Sequence, residues 1–154
     1  MKKLVLIIAL CQLLFANVAS VVFLKGDANV NRSGSTQNLV LDFKIEKEDI
    51  IETKNNGHVQ LKFTDNTLIT IGKNSTFSVS EYLFDEKQPK KSNAKFKFSK
   101  GLFRTVTGKI GKINPKLFTI KAKNSTIGIR GTTFDVFVGD ENIKVSVLDG
   151  ASIF

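Results

Sequence analysis

Apolar and polar residues alternate over many short stretches of this chain, with the period of two that is typical of half-buried β-strands. The longest such region lies between residues 118 and 150. It contains an alternation over residues 118–123, a turn pair at Asn124–Ser125, and a second apolar series that breaks at Gly131 and then resumes. A Gly inside a strand pattern usually marks a bulge or a sharp bend. The pattern therefore predicts strands on both sides of a bend, followed by a strand over residues 143–147.

Similar alternation occurs earlier in the chain. It predicts a strand over residues 39–45 and two hairpins, with turns at Asn55–Gly57 and Asp65–Asn66. Asn66 suits the second turn because Asn tolerates the left-handed backbone conformation. Residues 32–38 and 85–95 carry no large apolar side chain, so both are predicted to be exposed polar loops.

One region favours a helix. Between residues 101 and 115, Leu102, Phe103, Val106 and Ile110 share a helical face, while Gly and Thr residues weaken the helix and a Pro ends it. The sequence predicts one short helix over part of residues 102–111. Many short strands, turn residues between them and almost no helix predict an all-β fold. Periodicity does not distinguish a sandwich from a barrel or a solenoid.

The first 20 residues have the pattern of an export signal. Lys2 and Lys3 precede an apolar run over residues 4–15, and small residues then allow cleavage after Ala16, Ala19 or Ser20. The run is shorter than the roughly 20 residues of a comfortable membrane span. An uncleaved N-terminal anchor is the alternative. We expect residues 1–20 to be the signal and residues 21–154 to form one exported domain, in the periplasm or the cell envelope.

Composition restricts the chemistry of the exported domain. The only Cys is Cys11, inside the apolar run and preceded by Leu10, so neither a lipoprotein site nor a disulfide is predicted. The chain carries a net charge of +9, which in other contexts points to nucleic acid or to an anionic surface. Export argues against nucleic acid. Lys and Arg residues are spread along the strands, which favours solvated faces and guarded edges, with attraction to an acidic envelope surface as the alternative.

Catalytic patterns are missing from the sequence. The single His58 follows a turn and has no neighbouring nucleophile motif. The acids of residues 42–52 alternate with Lys residues, which is typical of a solvated face and not of a carboxylate pair. Metal-ligand spacings and a phosphate-binding loop are also missing, although residues 108–112 superficially resemble the latter. We predict no enzyme activity, no cofactor and no metal.

The residues around the bend resemble the signature of the FecR domain family. The resemblance rests on residues 127–136 and 145–150, with further matches at residues 61–68, 101–104 and 107–112. It covers nearly all of the chain after residue 20. It implies a twisted β-solenoid-like or sandwich arrangement of short antiparallel strands. The signature residues, which we expect to be structural, are Gly128, Arg130, Gly131, Thr132, Phe134 and Gly150.

Arg130 has two interpretations within this signature. Its guanidinium offers five fixed donors, so we expect it to staple the bend by binding carbonyl oxygens or an acid of a neighbouring strand. The alternative is an Arg that docks an anion or a partner. After residue 150, residues 151–154 form an apolar end that is predicted to begin a strand, which either caps the sheet or is cut short where the sequence stops.

The resemblance also implies a function. The members that gave the family its name regulate iron-citrate uptake: their periplasmic part responds to an outer-membrane transporter, and a cytoplasmic segment controls a sigma factor. Here only Met1, Lys2 and Lys3 precede the apolar run of the signal, so no such cytoplasmic segment is expected. We expect a non-enzymatic binding or signalling module with an envelope or membrane protein partner and no small-molecule substrate. A structural or peptidoglycan-associated envelope protein is the alternative.

Overall fold

A computed structural model describes residues 17–150 of the chain. The apolar run and Cys11 of the predicted signal, and the strand predicted over residues 151–154, lie outside the described residues. The described strands are β1 (Ala19–Lys25), β2 (Ala28–Arg32), β3 (Ser35–Asn38), β4 (Lys44–Ile45), β5 (Ile50–Thr53), β6 (His58–Phe63), β7 (Leu68–Ile71), β8 (Thr76–Leu83), β9 (Asn93–Val106), β10 (Phe118–Ala122), β11 (Ser125–Gly128), β12 (Thr133–Val138) and β13 (Ile143–Asp149). The helical elements are α1 (Lys109–Ile113) and two short 3-10 turns, Pro89–Lys91 and Pro115–Leu117.

The strands form one continuous sheet that curls until its two halves face each other. The first half has the order β3-β2-β5-β8-β9-β10-β11, and the second half has the order β4-β1-β6-β7-β9-β12-β13. Among residues 17–150 every strand pair is antiparallel except β9 with β10. The predicted all-β class is therefore confirmed, with a sandwich-like arrangement of facing halves.

Strand β9 belongs to both halves. Its first part pairs with β8 and β10, and its second part pairs with β7 and β12. The change occurs at Gly101, whose φ of 107° is accessible to Gly and strained for other residues. Position 101 also lies against Ser75, because a Cβ built there would be 1.9 Å from the Ser75 hydroxyl oxygen.

The space between the two halves is filled by aromatic and branched aliphatic side chains. The rings of Phe63 and Phe96 come from opposite halves, and their centroids are 4.9 Å apart. Phe77 packs on Phe96 within the first half. Burial of each such side chain stabilises the fold by roughly 1.5–3 kcal/mol relative to exposure. This core operates without disulfides, because the sequence contains no Cys after residue 11.

The predicted helix exists but lies further along the chain than expected. α1 spans residues 109–113, whereas Leu102, Phe103 and Val106 belong to β9. In β9 the Phe103 side chain is buried and its neighbours point outward. Residues 105–107 are β-branched and favour a strand, and β7 and β12 provide partners on both sides.

Two other predictions near the start of the chain are wrong. Residues 39–43 form a turn, with Asp42 at a φ of 63°, and only Lys44–Ile45 are in a strand. Val21 exchanges backbone hydrogen bonds with Phe43 and Asp42, which curls the segment around β1. The polar loop predicted over residues 32–38 contains strand β3 instead. All of its residues are exposed, so the alternation of apolar residues gives no signal for it.

The two predicted hairpin turns have different outcomes. The turn at Asp65–Asn66 joins the paired strands β6 and β7, and Asn66 has the left-handed φ of 66°. That prediction is confirmed. The turn at Asn55–Gly57 is not a hairpin, because β5 pairs in the first half and β6 in the second. It carries the chain from one half to the other. Within residues 17–150 no helix reaches the length and hydropathy that a membrane span requires.

Candidate functional site

The signature residues lie where β11, β12 and β13 meet. Gly131 has a φ of 58° and forms the bend before β12. Gly150 lies against it, since a Cβ at position 150 would be 2.7 Å from the Gly131 carbonyl oxygen. The Thr132 carbonyl accepts hydrogen bonds from the Thr107 amide (3.2 Å) and hydroxyl (3.1 Å). Phe134 is fully buried. These contacts hold the bend at Gly131 against position 150 and against Thr107.

Two signature residues contribute less to this packing. Gly128 ends β11 and pairs with Thr119 in the β10–β11 hairpin. Arg130 is exposed, and its guanidinium forms no hydrogen bond or ion pair with any other residue between 17 and 150. The staple expected from Arg130 is therefore not formed in this part of the chain. The bend is instead held by backbone contacts at Gly131 and Thr132.

The outer surface of the second half is concave and forms a cleft of about 880 Å³. Leu102 and Phe137 are cross-strand neighbours on its floor, and both are about half exposed (51% and 41%). Gly72 donates its amide to the Leu102 carbonyl at 2.8 Å and adds no side chain to this floor. The walls are polar and include His58, Asn74, Lys100 and Asn142.

A row of polar side chains crosses the same surface. Gln60 Nε2 donates to Thr70 Oγ1 at 3.0 Å. Arg104 binds Asp135 through two hydrogen bonds of 2.8 Å, and these bonds raise the pKa of Arg104 above its ordinary value. Because Asp135 is engaged in this way, Asp140 is the remaining carboxylate of the cleft lining. The cleft thus lacks the carboxylate pair that glycoside hydrolysis uses.

Reactive groups do not converge elsewhere in the described chain. His58 lines the cleft beside Gln60 and Asn74, in a setting without a Cys or Ser nucleophile. Over residues 17–150 no three His, Cys, Asp or Glu side chains are grouped closely enough to hold a metal ion. The cleft has the shape and polarity of a binding surface.

A second surface feature is strand β13, which is an edge of the second half. Among the described strands it pairs with β12 alone. Val145 lies opposite Val136, and Val147 lies opposite Phe134. Opposite residues of an antiparallel pair share a face, so both valines are on the core side. They are nevertheless 39% and 44% exposed, so the facing half covers them only in part.

The other sheet edges of the described chain are protected. β4 has two residues, and the four residues of β3 are Ser, Thr, Gln and Asn. β11 is also short. Short or polar edges are a usual defence against unwanted strand pairing. β13 is different, because it has seven residues and exposes Leu148 together with the two valines.

Sequence reasoning missed a buried ion pair. Asp49 is fully buried, although the acids of residues 42–52 were predicted to lie on a solvated face. Arg32 donates to its two carboxylate oxygens at 2.8 and 2.7 Å, and the Glu46 amide donates to it at 2.8 Å. Another Arg32 nitrogen binds the Glu46 carboxylate. The hydrogen bond to Asp49 is the largest contribution that raises the pKa of Arg32. The two partners are too far apart in sequence for local spacing to predict the pair.

A second buried carboxylate, Asp65, is structural. It accepts hydrogen bonds from the amide and hydroxyl of Thr67 (3.0 and 2.8 Å), from the Tyr82 hydroxyl (3.0 Å) and from the Ile110 amide (3.1 Å). These bonds fasten α1 to the β6–β7 turn. Burial, and next the Asp65 charge, raise the pKa of Tyr82 well above its ordinary value. With its oxygens satisfied, Asp65 is not available as a catalytic base.

The fold and these surfaces first define a class: an all-β domain that presents an open cleft and a strand edge that no other strand within residues 17–150 covers. The family model described as FecR protein matches residues 49–151, which is most of the chain. The chain therefore belongs to the FecR family, as the signature residues predicted. This is a regulatory and sensory family whose domains are typically periplasmic or in the envelope. No curated protein and no solved structure matches the chain.

Proposed function

We propose that this chain is an exported, non-enzymatic binding or signalling module of the periplasm or cell envelope, and that it recognises another envelope protein through β13. The family supports the sensory role and the compartment. The observation that carries the mode of recognition is the partly apolar edge of β13, which no other strand of the described residues 17–150 covers. The proposed partner contributes an extended segment that becomes the next strand of the second half.

This mode of binding follows from the chemistry of a sheet edge. An unpaired edge presents backbone N–H and C=O groups that a partner strand can satisfy. Side chains of the partner that alternate in and out would cover Val145 and Val147 on the core side. Covering apolar surface contributes roughly 25 cal/mol per Å² before the costs of association. The partner segment should therefore alternate apolar and polar residues.

The proposal is tested by capture of partners from intact envelopes. Val147→Lys places a charge on the core-side face of the edge, whereas Ser146→Lys places one on the opposite face of the same strand. We expect wild type and Ser146→Lys to retain the same envelope protein after cross-linking, and Val147→Lys to lose it. Thermal unfolding of each variant checks that the fold persists. Equal retention by both variants would rule out recognition through this edge.

The cleft favours a second candidate, association with a glycan such as peptidoglycan. Phe137 presents a half-exposed ring, and Asn74 and Asn142 line the same cleft. An apolar ring surrounded by amide groups is suited to a sugar, which has apolar C–H faces and polar hydroxyls. Co-sedimentation with purified peptidoglycan tests this candidate. Phe137→Ala should abolish sedimentation, while Phe23→Ala, which removes an equally exposed ring of β1, should not.

A further inference from the structure

We infer that the export signal is removed by cleavage of the peptide bond between Ala16 and Asn17, so that the mature protein begins at Asn17. The inference rests on the export proposed above. Small residues in the sequence permit cleavage after Ala16, Ala19 or Ser20. By side-chain size alone the first bond is the least attractive, because Leu14, three positions before Asn17, is larger than Asn17 and Val18, which hold the same position before the other two bonds. The fold favours the first bond.

Val18 and Ala19 are part of the folded domain. They are only 6% and 4% exposed. The Val18 amide donates to the Ile45 carbonyl at 2.8 Å, and its carbonyl accepts from the Thr64 amide at 3.0 Å. Ala19 is paired with Ile45 on one side and with Phe63 on the other. Asn17 is the first described residue, and it is exposed.

Cleavage after Ser20 would remove the partner of a whole strand. In the described chain, β4 is held by two residue pairs only, Ala19 with Ile45 and Ser20 with Lys44. Ile45 is fully buried in the core. Without residues 18–20, the backbone polar groups of Ile45 would be buried without partners, or the Ile45 side chain would be exposed to water.

The position of the new amino group also favours cleavage between Ala16 and Asn17. Hydrolysis adds water across the amide and leaves a carboxylate on one residue and an ammonium group on the next. At Asn17 that ammonium is in solvent. At Ser20 it would lie between the cross-strand neighbours Lys44 and Lys62, which are also cationic. If the mature chain began at Val21, the ammonium group would be on a fully buried residue.

The peptidase meets the chain before it folds, so the fold does not guide the enzyme. The constraint acts on the product, because the polypeptide left after cleavage has to complete β1 and hold β4. Ala16 provides the small side chain required immediately before the scissile bond. The boundary between signal and domain accordingly lies four residues before the one predicted from the sequence.

The test is intact mass and N-terminal peptide analysis of the full-length precursor expressed in an exporting bacterial host and recovered from its periplasm. We expect one product that begins at Asn17. Ala16→Leu should abolish this product, and Ser20→Leu, a matched change at the alternative bond, should leave its N-terminus unchanged. A wild-type product that begins at Ser20 or Val21, or an exported product that keeps Met1, would overturn the inference while export stands. Uncut protein confined to the cytoplasm would overturn export as well.

Discussion

The rings of Phe98 and Phe103 stack with their centroids 4.2 Å apart and their planes inclined by 17°, although both residues belong to strand β9. In a straight strand two residues at this separation would be about 16 Å apart. The stack exists because β9 bends at Gly101 and contributes one ring to each facing half of the sheet. Because of this bend, a single strand joins the two facing halves of the sheet.

Replacing Gly101 with Ala should destabilise the protein strongly. The new Cβ would lie 1.9 Å from the Ser75 hydroxyl oxygen, and Ser75 also accepts the Leu102 amide through that atom at 3.2 Å. We expect a loss of about 3 kcal/mol or more, since strain and a displaced hydrogen bond add. Gly34→Ala is the matched control, because Gly34 also has a positive φ but open space around it. Its cost in urea unfolding should be near 1 kcal/mol. Similar costs for both variants would contradict the role of the contact with Ser75.

The side chains that position 131 tolerates should be limited by its backbone conformation and not by steric contact with neighbouring residues. A Cβ there would meet only the Lys112 side chain, at 3.7 Å. The φ of 58° is accessible to Asn but is strongly disfavoured for β-branched residues. We therefore expect Gly131→Asn to fold with a melting temperature close to that of wild type, and Gly131→Val to lose several degrees or to misfold. A wild-type melting temperature for Gly131→Val would remove the reason to assign a strained bend to this position.

Loss of the Arg32 side chain should leave Asp49 as an unpaired buried charge. We expect Arg32→Met to cost about 3 kcal/mol, because Asp49 is fully buried and both of its carboxylate oxygens accept hydrogen bonds from the cationic Arg32. Lys95→Met is the control, since the Lys95–Glu81 pair is half exposed on both sides and should contribute less than about 1 kcal/mol. Chemical unfolding of the two variants measures the difference. Equal costs would show that burial of Asp49 is not what makes the first pair important.

Replacing Thr105 with Val should increase the stability of the fold. The Thr105 hydroxyl oxygen is buried and has no hydrogen-bond partner among residues 17–150. Val has the same shape without the polar atom, so Thr105→Val is expected to stabilise the fold by about 1 kcal/mol. Thr107→Val is the control: that hydroxyl donates to the Thr132 carbonyl at 3.1 Å, and its loss should destabilise by a similar amount. Opposite signs in the two melting temperatures are the expected result, and a fall in both would refute the first expectation.

Alkaline titration should report directly on the interior around Tyr82, because it is the only Tyr and the chain has no Trp. Burial, followed by the charge of Asp65, raises the pKa of Tyr82 in the folded protein. The unfolded chain releases this proton near the ordinary pKa of about 10, whereas the folded chain retains it. The stability associated with Tyr82 is thus complete below pH 10 and is lost as the pH rises further.

The measurement is tyrosinate absorbance between pH 9 and 12, two limits that bracket the ordinary pKa of about 10. We expect no absorbance step near pH 10 in the folded protein, and a step there in denaturant. Tyr82→Phe should remove the signal under both conditions. A normal titration of the native protein would show that the Tyr82 hydroxyl is open to solvent and not bound to Asp65.

The sequence by itself determined the strand content and the family. Alternation over residues 118–123 and 143–147 corresponds to β10 and β13, and the signature around Gly131 identified the FecR domain. Both are local properties, because alternation records which face of a strand is buried and a left-handed turn residue records a local backbone angle. The same reasoning failed at residues 39–43, where alternation occurs in a turn, and at β3, whose four residues are all exposed.

Only the tertiary structure decided which strands pair, and therefore where the surfaces lie. The Asn55–Gly57 turn has hairpin residues, yet it connects strands in opposite halves. The burial of Asp49, the exposed core side of β13 and the inclusion of Val18 in the core all depend on partners distant in sequence. Local sequence patterns do not predict such partners. The free energy that selects them comes from packing and hydrogen bonding between segments that meet only when the sheet closes.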